Sequence, residues 1–87
     1  MVTIMRPWNN KGGEHMNSLK LEFARRAKGK SPQDLAAAIG KTVNSYQKKE
    51  RGDVAFNDEE KVIVARELDL TLEQVSEIFF DGKLPNW

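Results

Sequence analysis

Asn44, Gln47 and Lys48 are the side chains of this 87-residue chain best suited to a specific chemical task. Amide and ammonium groups match the donors and acceptors that base edges display in the major groove of B-form DNA. On a helix, Asn44 lies near the N-terminus, with Gln47 and Lys48 one turn later on the same side. A helix start aimed at a polyanion also presents unpaired N–H groups to phosphate. A blander reading stands beside this one, in which the basic run Lys48-Lys49 is a solvated face.

Other chemistries find little support. The chain has no cysteine, so it has no disulfide and no thiolate zinc site. His15 is its only histidine, and no H-x-x-x-H or carboxylate–histidine spacing surrounds it, so neither a metal nor a cofactor is expected. An activated nucleophile, an acid–base pair with a plausible site and a phosphate loop are all missing, so the chain is not expected to be an enzyme.

The elements that must position these groups read as five helices. The first runs from about Leu19 to Lys28 after an Asn17 or Ser18 cap, with Leu19, Phe23 and Arg26/Ala27 at helical spacing and Leu21 and Ala24 widening the stripe. Ser31-Pro32-Gln33-Asp34 opens the second with a cap serine, proline at its first position and an acid at its third. Its face is Leu35, Ala36 and Ile39, and Gly40 ends it. The third follows Thr42 and reaches Lys49 or Arg51. Only Val43 and Tyr46 can pack there, and Tyr46 is read as a core anchor. A helix with so little to bury of its own has an exposed face free for another purpose. After a linker, Val54-Ala55-Phe56, a fourth helix starts from Asn57 and Glu60, with Val62, Ile63, Ala65 and Leu68 as its stripe. Thr71 and Gln74 open a fifth, expected to bury Leu72, Val75, Ile78 and Phe79. Phe80 either caps the core or sits in a dimer contact. No segment alternates long enough to make a strand.

The net charge of +1 conceals two unlike halves. Residues 19–52 hold nine basic and three acidic side chains; residues 53–87 hold three basic and nine acidic. Such a division fits one face for a polyanion and another turned away from it, or simply solvated helix faces. Apolar runs are too short to span a membrane, and no signal peptide is visible, so a cytoplasmic protein is expected. Residues 1–16 carry a breaker cluster, Asn9-Asn10-Lys11-Gly12-Gly13, and read as a disordered tail. Lys11-Gly12-Gly13 can also be encoded by a purine-rich string like a ribosome-binding site. Residues 1–15 would then be untranslated in the native gene, with Met16 as the start codon. The domain would occupy residues 17–80, and residues 81–87 a C-terminal tail.

Two short helices joined by a tight glycine turn, the second polar and basic, match the helix-turn-helix design. The ordered set Ser31-Pro32-Gln33-Asp34-Leu35-Ala36, Ile39-Gly40, Tyr46 and Glu50-Arg51-Gly52 resembles the Cro/phage-repressor family, also called the xenobiotic-response-element family. It closely resembles the short repressors of phages and mobile elements from Gram-positive bacteria. The resemblance implies an all-α, five-helix lambda-repressor-like domain. It implies base reading by Val43, Asn44 and Lys48, with Gln47 beside them, and phosphate contacts from Lys41, Thr42, Ser45, Lys49 and Arg51. Lys48 would suit guanine, Asn44 adenine and Val43 a thymine methyl. Arg25 and Glu50 match a structural ion pair of the family. Two positions depart from it. Pro32 stands where the family often has a glutamine that reaches DNA, which puts one phosphate contact in doubt. Lys30 replaces a leucine and must lay its stem on the core.

The expected activity is sequence-specific DNA binding by a transcriptional regulator, repressor-like, acting on a double-stranded operator. A homodimer through the fifth helix and the Phe80 region would place paired third helices in successive major grooves. An antitoxin-type module, binding a toxin through its acidic half as well as DNA, is the alternative.

Overall fold

Each helix begins where a short polar side chain can turn back on the chain. The computed structural model describes residues 16–80. Within them lie α1 (Ser18–Ala27), α2 (Pro32–Ile39), α3 (Val43–Arg51), α4 (Asp58–Glu67) and α5 (Leu72–Phe79), and no strand. Asn17, Ser31, Thr42, Asn57 and Thr71 each accept a hydrogen bond from the backbone N–H three residues on, satisfying a donor the helix itself leaves over. In α2, α4 and α5 the third helical residue (Asp34, Glu60 or Gln74) returns the bond to the cap's own N–H.

One of these boxes predicts a pH effect. Hydrogen bonds from the Ser31 backbone, then from its side chain, hold the Asp34 carboxyl below its ordinary value of 3.8. A depressed folded-state value stabilises the fold above the unfolded value, and that contribution is lost as pH falls through the folded one. The gap in thermal midpoint between the native chain and Asp34→Ala is therefore expected to be full at neutral pH and to shrink below pH 3.8. Melting curves across acid pH check this; a gap that widens with acid would contradict it.

Packing joins α2 to α3 and α4, and α1 to α3 and α5. The core consists of Leu21, Leu35, Ala36, Ile39, Tyr46, Phe56, Val64, Leu68, Ile78 and Phe79. Three aromatic rings hold its middle: Phe56 stands edge-on to Phe79 at 5.6 Å and tilted against Tyr46 at 6.0 Å. The chain entering α1 is tied to the end of α5, where the Asn17 N–H donates to the Ile78 carbonyl at 2.7 Å. Met16 packs against the core, so it stands with the domain and not with the expected tail. The expectations for residues 1–15 and 81–87 lie outside the described residues.

The expected apolar faces are met in part: Leu21 of α1, Leu68 at the end of α4, and Ile78 and Phe79 of α5 are buried, and Ala24, Ile63 and Val75 pack against the core. Leu19 and Phe23 on α1, Val62 on α4 and Leu72 on α5 are exposed. Arg25, Lys61, Val64 and Ser76, which the apolar pattern does not mark, are buried as well. A long charged side chain can bury its stem and still satisfy its head. Lys61 does so with its ammonium 4.7 Å from the centre of the Phe80 ring. Phe80 itself packs against the core. No helix among the described residues is long and apolar enough to cross a membrane.

Candidate nucleic-acid interface

The turn of residues 40–42 sets how α3 leaves α2. Gly40 closes α2 at φ 72°, a left-handed conformation that side chains other than glycine adopt at a cost. The Lys41 N–H then returns to the Ala36 carbonyl at 2.9 Å. Thr42 Oγ1 accepts from the Ser45 N–H at 3.1 Å, which starts α3. At the other end Gly52, at φ 92°, stops it.

The inward side of α3 is polar as well as apolar. Tyr46 is fully buried, and its hydroxyl donates to Glu50 Oε1 at 2.7 Å. Arg25 of α1 meets the same carboxylate with both arms of its guanidinium, Nε to Oε1 at 2.9 Å and Nη2 to Oε2 at 3.2 Å. Its remaining nitrogen, Nη1, donates to the Lys30 carbonyl at 2.9 Å. The Glu50 hydrogen bond raises the Arg25 pKa above its ordinary value, against the opposing effect of burial. Burial, then the hydrogen bond to Glu50, pushes the Tyr46 phenol up. The structure thus brings Arg25 and Glu50 together, with Tyr46 completing the set.

The outward side carries most of the residues singled out for DNA. Asn44, Gln47, Lys48 and Arg51 are exposed on α3, and Lys41 and Thr42 are exposed in the turn before it. Ser45 is half-buried. Val43 is also half-buried and packs against the core, so only part of its side chain faces outward. Arg51 is exposed but engaged, donating twice to Asp53 Oδ2 at 2.9 and 3.1 Å.

Lys49 corrects the sequence reading. A phosphate contact requires an exposed ammonium, whereas Lys49 is buried and turned toward α4. Its Nζ donates to Glu60 Oε1 at 3.1 Å and to the Ala55 carbonyl at 3.2 Å. The available signal was phase: Lys49 follows Tyr46 by three residues and therefore shares its inward face. Glu60 was read only as a cap residue, and it serves both roles, since Oε1 also accepts from the Asn57 N–H at 2.9 Å.

The division of charge is largely resolved inside the domain. Lys20–Glu77, Lys28–Asp69, Lys30–Glu67, Lys49–Glu60 and Arg51–Asp53 each join the basic half to the acidic half. Lys30 reaches Glu67 from a half-buried position, in line with a stem laid against the core. Lys41 and Lys48 have no ion-pair partner among the described residues, so their charge is left to face solvent. Among the described residues, no three histidine, aspartate or glutamate side chains converge as a metal ion would need.

Compared with known proteins, the chain matches no family model, no curated protein and no solved structure.

Proposed function

We propose that this chain is a sequence-specific DNA-binding regulator, with α2, the 40–42 turn and α3 acting as a lambda-repressor-like helix-turn-helix. The reading rests on one observation. The solvent face of α3 collects Asn44, Gln47 and an unpaired Lys48, while every other basic side chain of α1 and α3 is matched with an acid. Unmatched charge beside amide groups combines attraction to phosphate with readout of base edges. Lys41 extends the charge to the start of the helix, whose N-terminal end also favours an anion.

In this reading α3 lies in the major groove. Two copies, joined through α5 and the Phe80 region, would set their α3 helices about 34 Å apart on DNA. Selection of bound sites from random duplex DNA tests the reading: a two-fold symmetric motif is expected, and no enrichment would end it. Substitutions then separate readout from attraction. Lys48→Ala is expected to weaken the selected site by about 1–3 kcal/mol and to relax preference at one base pair. Lys41→Ala is expected to weaken all duplexes alike and to lower the salt slope by about 1. Titrations at several salt concentrations, with selected and scrambled duplexes, distinguish the two patterns.

A second reading, a basic protein partner such as a toxin on the α4–α5 side, is favoured by Glu59 and Glu73. Both are exposed and unpaired among the described residues, and Val62 and Leu72 on the same helices are exposed too.

A further inference from the structure

Consecutive residues of α3 are tied in different directions with opposite polarity. Lys49 donates to Glu60 of α4 at 3.1 Å, and Glu50 accepts from Arg25 of α1 at 2.9 Å. Adjacent residues point about 100° apart around a helix, so the two ties flank the buried Tyr46 and together restrict the roll of α3 more than either alone. Roll matters to the outward face. A side-chain tip about 6 Å from the axis moves by about 1 Å for a roll of about 10°. Hydrogen bonds to base edges tolerate less than that.

The Lys49–Glu60 pair is poorly built as a stabiliser. Glu60 Oε2 is buried without a hydrogen-bond partner. Ion pairs in such settings often contribute no more to stability than neutral groups of the same shape. Their geometry is nevertheless exacting, because an ammonium held by Glu60 and the Ala55 carbonyl has few alternative positions.

We propose that Lys49 and Glu60 are positioning residues for DNA readout: paired across α3 and α4, they set the roll of α3 that aligns Asn44 and Lys48 with base edges. This rests on the DNA-binding reading above. It predicts that a neutral pair keeps the fold and loses discrimination.

The test uses the full chain carrying Lys49→Met and Glu60→Gln together, which strands no charge and leaves an amide oxygen to cap α4. The ratio of affinities for a selected duplex and a scrambled one is measured beside thermal melting and amide hydrogen exchange of the free protein. The melting midpoint is expected to stay close to that of the native chain. The ratio is expected to fall about tenfold, the worth of one good base contact. Exchange is expected to rise across residues 49–53 and not in α2. An unchanged ratio overturns the proposal, as does a loss of affinity for both duplexes in step with the unfolded fraction. If the double variant does not fold, Lys49→Leu with Glu60→Gln, also without a stranded charge, decides by the same three measurements. A native chain that binds both duplexes equally removes the DNA reading. Exchange then decides on the clamp itself: opening confined to the end of α3 upholds it, and uniform opening overturns it.

Discussion

Glu50→Ala is expected to destabilise the domain by about 3–5 kcal/mol, the usual cost of stranding one partner of a buried ion pair. Three side-chain donors converge on this carboxylate: two nitrogens of Arg25 and the Tyr46 hydroxyl. Arg25 and Glu50 have only 8% and 14% of their side chains exposed, so water would not fully replace the missing acid. The loss is a large fraction of the roughly 5–15 kcal/mol that holds a typical domain together. Urea unfolding measures it, with an unchanged slope showing that the midpoint shift reports stability. Arg25→Met combined with Glu50→Leu should recover much of the loss, because no charge is then left buried alone. A Glu50→Ala protein unfolding at the native midpoint would show that this network contributes nothing.

Phe56→Ala is the second substitution with a large expected effect, again about 3–5 kcal/mol. The residue belongs to the linker between α3 and α4, yet it is 4% exposed and touches the rings of both Tyr46 and Phe79. Its removal opens a cavity between α3 and α5 and forfeits the edge-on contact as well as the buried area. In a domain of this size each kcal/mol moves the thermal midpoint by about 4–8 °C, so a fall well beyond 10 °C is expected. Phe56→Leu, which keeps much of the volume, should fall by a small part of that. A Phe56→Ala midpoint within two or three degrees of the native one would mean that the core closes over the gap.

The helix starts were legible because their chemistry is local. Ser31-Pro32 with Asp34, Asn57 with Glu60 and Thr71 with Gln74 satisfy backbone donors within three residues, so sequence alone carries the signal. The faces were less legible, because a short helix packed by two neighbours need not bury its most apolar side. On α1 the long stem of Arg25 goes inward to meet Glu50, and Phe23 is left outside. On α4, Lys61 takes the inward place expected for Val62. Phe56 was assigned to a linker because periodicity says nothing about an isolated aromatic between helices. At the candidate site, the outward placement of Asn44, Gln47 and Lys48 follows from their phase relative to Tyr46. The same phase argument puts Lys49 on the inward side, but its partner, a carboxylate eleven positions away, is beyond any local pattern.

The bond between the Asn17 N–H and the Ile78 carbonyl makes the domain portable. Its first and last helices begin and end side by side, so a few glycines and serines suffice to splice it into a surface loop of a host protein without stretching either. The same closeness favours circular permutation of residues 16–80, with residues 16 and 80 joined through a linker and new ends cut in the exposed stretch at residues 52–54. Such a cassette would carry its outward-facing helix into the host intact.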